Sequence, residues 1–287
     1  MANEETQALA DEEALFSLKP HEVSDELRPR IDELELWDVV DGLRENGYAV
    51  IHDAAPPSLV DDLREAIHSF ALDREGSIVA GAPLLLGRHP AVDLVATLPK
   101  VMAIAEYSVG KAMRAGRIVG SVKPEGGEGL GLHADQNWMP TPFPEHNLMV
   151  TFCVACEGMT EAGGSTFVAP GSHRLRRMPT EKEMANTPVV PIEAKKGDIA
   201  VWDGMAWHGA YDRKIPGIRT VLHATYQRLY TQPIDDFTYL LKDEEYMANA
   251  PEGIRQLLGA DLFFHTATTE HDVDMAKFGY AMEAAKL

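Results

Sequence analysis

From position 117 to position 230 the sequence consists of short segments rich in Val, Ile, Thr, Phe and Tyr, separated by Gly, Pro and charged residues. Several short strands with frequent turns are typical of a sandwich or barrel, and not of a parallel sheet with crossover helices. The strand candidates are 117–123, 146–156, 165–169, 189–193, 199–202 and 219–230. We therefore predict a mainly β fold with flanking helices and a jelly-roll core.

Apolar residues at helical spacing flank this β-rich region. The predicted elements outside it are helices at 34–46, 59–72, 99–112 and 239–258 and a strand at 48–52. Gly47 is a plausible end for the first helix, because glycine adopts the left-handed conformation that commonly terminates helices. The segment 76–96 has a looser pattern and is either a connector or a loop over a pocket.

The first 35 residues contain eleven acidic and three basic side chains. A segment of this composition is typical of a solvated, weakly ordered arm. We expect an acidic, partly ordered arm (1–33) and one domain (34–287), made of a helical part (34–116), the jelly-roll core (117–230) and a C-terminal helical extension (231–287). The aromatic residues of the tail leave room for a homodimer contact.

The formal net charge of -19 argues against a nucleic-acid partner, since binding phosphates requires a basic surface. No apolar stretch approaches the roughly 18 residues that span a bilayer. The N-terminal sequence MANEE is acidic, whereas a signal peptide begins with a basic region. We expect a cytoplasmic protein that acts on a small molecule and has no membrane partner.

The two cysteines, Cys153 and Cys156, lie in an apolar run as Cys-Val-Ala-Cys. This spacing is found in zinc and redox sites. In a strand, however, residues three apart point to opposite faces, so the thiols would not converge on one metal. We favour two buried, inert thiols.

A metal site is indicated by His133 and Asp135, which are two positions apart and share one face if the segment is extended. His208 follows another predicted strand and supplies a third ligand. Two imidazoles and one carboxylate leave three coordination positions open and suit Fe(II) better than structural zinc. Those open positions have room for a bidentate 2-oxo acid together with O2.

Arg219 lies eleven positions after His208, at the start of a predicted strand. A 2-oxo diacid that chelates iron through one end needs a fixed cation for its distal carboxylate, and the guanidinium fork suits that role. The alternative is an arginine on an edge strand that forms an ordinary salt bridge. From the residues alone, the two interpretations have equal weight.

Several landmarks together resemble the phytanoyl-CoA dioxygenase family of Fe(II)/2-oxoglutarate oxygenases. They are the His133-x-Asp135 pair, the segment 163–174 (GGSTFVAPGSHR), Gly197-Asp198 leading to His208, and Arg219 after it. The likeness spans roughly positions 34–228. It implies a cupin-like double-stranded β-helix in which His133, Asp135 and His208 hold iron and Arg219 binds the distal carboxylate of 2-oxoglutarate.

The same resemblance implies that Thr166 offers a hydroxyl to 2-oxoglutarate. Some relatives carry a glutamine three residues before the first histidine ligand; Leu130 stands at that position here, so the inner carboxylate would be held differently. The implied activity is a non-haem dioxygenase that hydroxylates a C-H bond and releases succinate and CO2. Related halogenases replace the carboxylate ligand by a small residue, so Asp135 argues for a hydroxylase and against a halogenase.

The substrate is predicted to be a small, largely apolar organic molecule. The candidate contacts follow the aspartate or surround the distal histidine: Asn137, Trp138, Met139, Phe143, Trp207 and Tyr211. Each of these side chains is alternatively a packing residue. A CoA thioester would need cations for its phosphates, and the basic cluster Arg174, Arg176, Arg177 and Lys182 is either that site or a solvated loop.

Two other classes remain open at this point. One is a jelly-roll metal enzyme that works without 2-oxoglutarate, such as a cofactor-independent dioxygenase or an isomerase. The other is a non-catalytic module that binds a small molecule. Among the remaining histidines, His173 is predicted to be a structural turn residue, His223 a satisfied core residue, and His146 a residue at a strand junction within reach of the pocket.

Overall fold

The structure is a computed structural model that describes residues 20–71 and 81–260. None of the helices in these ranges is both long and apolar enough to cross a membrane. The helices are α1 (Arg28–Glu33), α2 (Trp37–Asn46), α3 (Pro57–Phe70), α4 (Pro90–Ala96), α5 (Pro99–Val109), α6 (Glu181–Asn186), α7 (Glu244–Asn249) and α8 (Ile254–Leu257). Two 3-10 turns are formed by Ser172–Leu175 and Thr238–Lys242.

The strands form two antiparallel sheets. They are β1 (Tyr48–Ile51), β2 (Gly81–Ala82), β3 (Arg114–Pro124), β4 (Leu130–His133), β5 (Met149–Ala155), β6 (Thr166–Val168), β7 (Val190–Pro191), β8 (Ile199–Asp203), β9 (His208–Ala210) and β10 (Ile218–Gln227). The major sheet has the order β1-β8-β5-β10-β3-β2, and the minor sheet has the order β4-β9-β6-β7. Apart from the pairs β2-β3 and β6-β7, neighbouring strands are not consecutive in the sequence, and the two-sheet arrangement confirms the predicted jelly roll.

The major sheet has two buried faces, as alternation along its strands requires. In β5, Phe152 and Val154 face the helices and belong to the largest apolar cluster, which includes side chains of α1 to α5. Cys153 faces the other way and packs between the sheets with Trp202 of β8 and Val221 of β10. The inner face of this sheet lies opposite the minor sheet, so polar side chains of the two sheets can approach one another there.

The prediction for the two cysteines is confirmed. Both are buried and free, and they lie in different apolar clusters on opposite sides of the major sheet. Burial raises the pKa of the Cys153 thiol to about 11 and also raises the pKa of Cys156. Thiols held in the protonated form are poor metal ligands and poor nucleophiles.

The turn between α2 and β1 is also formed as predicted. Gly47 has a φ of 79°, and a Cβ atom there would lie 2.5 Å from Nδ1 of His173. His173 is buried, and its Nε2 lies 3.3 Å from the carbonyl oxygen of Arg44. It is a structural residue of the turn, and only glycine fits beside it.

Three other predictions need correction or fall partly outside the described residues. The segment 76–96 is not a plain connector, because its described part contains β2 and the helix α4. The helix predicted at 239–258 is instead a 3-10 turn followed by two short helices, and the aromatic tail lies outside the described residues. The predicted acidic arm is described from residue 20, and there it includes α1 with Ile31 buried.

A buried carboxylate fixes the turn that leads into β8. Asp198 accepts hydrogen bonds from the backbone N-H groups of Asp53 (3.0 Å) and Lys195 (2.9 Å), and His52 Nδ1 lies 3.2 Å from it. Burial raises the pKa of Asp198, but the hydrogen bonds and His52 together lower it by more, so the net shift of the pKa is downward. The Gly197-Asp198 landmark thus ties the start of β8 to the loop that follows β1.

Candidate metal centre

His133, Asp135 and His208 meet at one end of the minor sheet. His133 is the last residue of β4, and His208 is the first residue of β9. The two histidines are direct cross-strand partners in the antiparallel register. Asp135 lies two residues beyond β4, in a turn held by Gln136, whose backbone N-H donates to the carbonyl of Gly204 (3.0 Å).

The three side chains present one ligand atom each to a common point. Oδ1 of Asp135 lies 3.8 Å from Nε2 of His133 and 3.6 Å from Nε2 of His208. The chosen ligand atoms all lie within 4.8 Å of one another. Such separations fit three ligands on one face of a metal ion, in the arrangement of non-haem iron sites.

Backbone carbonyls orient both imidazoles. Nδ1 of His133 lies 2.9 Å from the carbonyl oxygen of Gly131, and Nδ1 of His208 lies 3.0 Å from that of Ala206. Because a carbonyl only accepts, each Nδ1 must carry the proton, and each Nε2 keeps a lone pair for a metal. Burial, more than any other cause, lowers the pKa of His208 and favours its neutral, metal-binding form.

Two side-chain donors orient Asp135. Its Oδ2 accepts hydrogen bonds from Oγ1 of Thr151 (2.9 Å) and from Nε1 of Trp202 (3.0 Å), which leaves Oδ1 turned toward the histidines. Burial is the largest influence and raises the pKa of Asp135, yet the two histidines and the two hydrogen bonds together bring it below its ordinary value. The carboxylate is thus held ionised, as a metal ligand must be.

Removing these donors is expected to weaken metal binding. Thr151→Val and Trp202→Phe each delete one hydrogen bond to Asp135, and we expect each to lower Fe(II) affinity about tenfold and the double variant about a hundredfold. Anaerobic titration measures the affinity. The matched control is Thr220→Val, because Thr220 is also buried in the major sheet but its hydroxyl lies 2.7 Å from His68. Unchanged affinity in the double variant would contradict the assigned role.

A cleft of about 590 Å³ opens beside the triad, between the two sheets. Its floor comes from β3, β5, β8 and β10 of the major sheet, and its far wall comes from β4, β6 and β9. Thr166 lines this cleft from β6 and is buried. Leu130, Asn137, Trp138 and Ile234 form the rim.

Arg219 lies in the same cleft, next to a second cation that the sequence analysis missed. It sits on β10, an interior strand, directly across from Lys123 of β3. One Nη of Arg219 donates to the carbonyl of Gly164, whereas its buried Nε has no partner among the described residues. Burial and the nearby Arg219 lower the pKa of Lys123 to about 8. Two adjacent cations in a cleft favour binding of an anion.

The alternative interpretation of Arg219, an arginine on an edge strand in an ordinary salt bridge, is not what the structure contains. β10 is flanked by β5 and β3, and Arg219 has no carboxylate partner within the described ranges. The cleft therefore contains a buried guanidinium whose Nε-H has no hydrogen-bond acceptor among the described residues. Leaving such a donor unsatisfied costs about 1–3 kcal/mol, so a bound carboxylate would be favoured there.

The predicted substrate residues divide into two groups. Asn137 and Trp138 line the cleft and are exposed. Met139, Phe143, Trp207 and Tyr211 do not line it: Phe143 and Trp207 are buried in an apolar cluster against which Met139 packs, and the Tyr211 ring packs on Phe167 at 4.8 Å.

His223 requires a correction, because it is not a core residue. It lines the cleft from β10, with its ring 6.0 Å from that of Trp202. Burial, followed by the charge of Arg219, lowers its pKa to about 4, so the imidazole is neutral. His146 lies elsewhere, on a small separate cavity with His21 and Asp203.

The basic cluster that was considered for a CoA thioester is occupied by internal partners. Arg177 forms a two-pronged ion pair with Glu183, with both contacts at 2.8 Å. Arg176 donates to the carbonyl of Phe143 and to Glu145, and Arg174 donates to the carbonyl of Arg44. These arginines stabilise the loop and lie outside the cleft.

The fold and the site define a jelly-roll protein with a two-histidine, one-aspartate metal site beside a cationic cleft. The sequence model of the phytanoyl-CoA dioxygenase (PhyH) family matches residues 43–221. The chain belongs to this family. The matched region runs from α2 into β10 and includes the metal triad and Arg219.

Similar proteins include a fungal enzyme and a mycobacterial protein. Dioxygenase af480 of Aspergillus fumigatus is 26% identical over 163 residues, which are 56% of this chain and 52% of that protein, about half its length. An uncharacterised protein of Mycobacterium tuberculosis is 23% identical over 235 residues, covering 77% of this chain and 85% of that protein.

Solved structures share the fold at low sequence identity. EctD from S. alaskensis with 2-oxoglutarate and 5-hydroxyectoine has a TM-score of 0.60 and 18% identity, covering 77% of this chain and 86% of that chain. SnoN, the non-heme alpha ketoglutarate dependent epimerase from nogalamycin biosynthesis, has a TM-score of 0.56 and 20% identity, covering 69% and 84%. HygX from Streptomyces hygroscopicus with nickel and 2-oxoglutarate has a TM-score of 0.58 and 16% identity, covering 68% and 88%.

Proposed function

We propose that the chain is an Fe(II)- and 2-oxoglutarate-dependent dioxygenase that hydroxylates a C-H bond of a small organic molecule and releases succinate and CO2. The observation that carries the proposal is that one cleft contains both the metal ligands and a cation suited to 2-oxoglutarate. It holds three convergent metal ligands and, on its opposite sheet, a buried arginine with an unused donor. A metal enzyme that works without 2-oxoglutarate has no need of such an arginine.

The donor set fits iron. His133, Asp135 and His208 would hold the ion through two Nε2 atoms and one carboxylate oxygen, all of them oriented by hydrogen bonds. When bound, the iron supplies the activation of O2, which protein side chains do not provide. The contribution of the protein is to fix the ligands on one face and to leave the other positions for co-substrate and O2.

The cation pair fits 2-oxoglutarate. Arg219 would bind the distal carboxylate through the guanidinium group, and Lys123 adds a second positive charge beside it. Thr166, on the opposite wall, offers a hydroxyl to the same ligand. Charge-assisted hydrogen bonds of this kind are about twice as strong as neutral ones, and they position the diacid with one end toward the metal.

The outcome of the reaction depends on the ligand set and on the position of the substrate. Asp135 retains the carboxylate and occupies a position that a halide would need, which supports hydroxylation over halogenation. Trp138 and Asn137 line the exposed rim of the cleft that contains the triad. A substrate bound against them would exclude water from the metal.

Succinate formation tests the proposed function. Purified full-length protein with Fe(II), ascorbate and 2-oxoglutarate should form succinate above the level of a His208→Ala control, and a substrate should stimulate the reaction. Product mass and labelled O2 then separate hydroxylation, which adds an oxygen atom, from epimerisation, which does not. Absence of turnover across a broad substrate panel, with the metal bound, would reject the proposal.

Binding of 2-oxoglutarate should depend on pH through Lys123. The pKa of Lys123 is lowered to about 8, so the ammonium is present below that pH and is lost above it. We expect affinity for 2-oxoglutarate to fall up to about tenfold between pH 7 and pH 9, because one favourable charge disappears while Arg219 stays protonated. Lys123→Met should bind more weakly at pH 7 and lose most of this pH dependence. A dependence that persists in Lys123→Met would remove Lys123 from the site.

A further inference from the structure

A third cation, Arg117, lines the cleft at the opposite end of the same strand from Lys123. Arg117, Val119, Ser121 and Lys123 alternate along β3, and all four face the cleft. In the antiparallel register Lys123 is paired with Arg219, whereas Arg117 is paired with Thr225. Six residues of strand separate the two pairs, which is about 20 Å. A short diacid held at Arg219 therefore does not account for Arg117.

Arg117 is close to the reactive end of the cleft. Its partner Thr225 has its hydroxyl 3.3 Å from that of Thr151, and Thr151 donates to the metal ligand Asp135. Arg117 therefore lies in the same cross-strand row as Thr151 and Trp202, the two donors to Asp135. A molecule anchored at Arg117 would extend along this row toward the metal site.

The Arg117 guanidinium is available for a ligand. It is exposed, and no hydrogen bond or ion pair engages it among the residues that the structure describes. Asp235 is near enough for Arg117 to lower its pKa, although burial still makes the net shift upward. Asp235 lines a neighbouring cavity and not this cleft. Glu128 at the mouth and Asp135 of the triad are the acidic groups that face the cleft in the described part of the chain.

Three of the four residues at the rim of the cleft are apolar and exposed. Leu130 is 58% exposed, Trp138 49% and Ile234 46%, and all three line the cleft. Exposed apolar residues that cluster around a pocket mark a binding surface. A ligand that uses both features needs one anionic group and a hydrocarbon portion.

We propose that the substrate is an organic acid with an apolar body, whose carboxylate binds Arg117 and whose hydrocarbon portion packs against Leu130, Trp138 and Ile234 beside the metal. This assignment rests on the proposed function, because it requires that 2-oxoglutarate is bound to Arg219. It also narrows the substrate predicted from the sequence, which was largely apolar. Arg174, Arg176 and Arg177 are engaged by partners within the protein. Arg117 is therefore the cation that we assign to the substrate carboxylate.

Binding of a matched acid and amide tests the proposal without turnover. Full-length protein is loaded with Ni(II) in place of iron and saturated with 2-oxoglutarate, so that Arg219 is already engaged. Octanoate and octanamide are then titrated by calorimetry. We expect octanoate to bind at least about tenfold more tightly than octanamide, since charge-assisted hydrogen bonds are about twice as strong as neutral ones.

Variants assign that preference to Arg117. Arg117→Gln should abolish it, and Arg117→Lys should restore part of it. The matched control, Arg174→Gln, removes the same charge from an exposed arginine outside the cleft and should keep the preference.

The outcomes separate this inference from the proposed function. If the wild-type protein fails to bind 2-oxoglutarate, the proposed function fails first and the inference falls with it. If 2-oxoglutarate binds but octanoate and octanamide bind alike, or octanoate does not bind, the inference alone is overturned. A preference that survives Arg117→Gln overturns it as well.

Discussion

Asp135→Ala is expected to lower Fe(II) affinity by more than about a hundredfold and succinate formation by at least about a thousandfold. The substitution removes one of three ligand atoms and leaves two buried donors, on Thr151 and Trp202, without their acceptor. Loss of a residue that only orients a ligand costs about 10–100-fold in affinity, so loss of the ligand itself must cost more. Metal charge stabilisation contributes several kcal/mol, and about 1.4 kcal/mol corresponds to a factor of ten in rate.

Asp135→Asn tests the same point in a side chain of equal size, so that a folding defect in the alanine variant does not decide the result. Glu128→Gln is the matched control, because Glu128 is a carboxylate of the same cleft that lies outside the triad. We expect it to bind Fe(II) within about twofold of the wild type. If Asp135→Asn also retained wild-type Fe(II) affinity, Asp135 would not be a ligand.

The metal triad could be predicted from the sequence because its geometry is local. His133 and Asp135 are separated by two positions, and this spacing places them on one side of an extended chain. His208 was harder to assign, since its pairing with His133 is a fact of strand register between segments 75 positions apart, as their residue numbers show. The family resemblance supplied that link, and the structure brings the three residues together.

Register also explains what sequence reasoning missed. Lys123 and Arg117 end up in the cleft because β3 pairs with β10, and alternation alone cannot tell which face of a strand turns inward when both faces are buried. His223 was assigned to the core for the same reason. It follows Arg219 by four positions and shares its face, so the position of Arg219 in the cleft was the signal that could have placed His223 there.

The aromatic residues near the ligands were the weakest predictions. Phe143 and Trp207 are large side chains that gain about 1.5–3 kcal/mol or more from complete burial, and the structure buries both in a packed cluster. Trp138 instead remains exposed at the rim. Composition does not separate these cases, because an aromatic residue is equally suited to packing and to contact with a ligand.

Arg219→Ala is expected to raise the concentration of 2-oxoglutarate required for half-saturation by about a hundredfold and to leave Fe(II) affinity within about twofold of the wild type. Truncating one partner of a buried charge pair costs about 2–5 kcal/mol, and about 1.4 kcal/mol corresponds to a factor of ten in affinity. The metal ligands do not contact Arg219 through any hydrogen bond in the described residues, so the two affinities should separate.

Arg213 provides the matched control, since it is also a buried arginine close to the same loop. Its Nε and both Nη atoms donate to the backbone carbonyls of Gly217, Gly163 and Pro216 at 2.7–3.1 Å, so every nitrogen of this guanidinium already holds the loop. Arg213→Ala should therefore lower the free energy of unfolding with little change in 2-oxoglutarate affinity. Arg219→Ala should instead lower 2-oxoglutarate affinity with a smaller change in the free energy of unfolding. Equal losses of 2-oxoglutarate affinity in both variants would mean that Arg219 supports the fold of the loop and does not anchor the co-substrate.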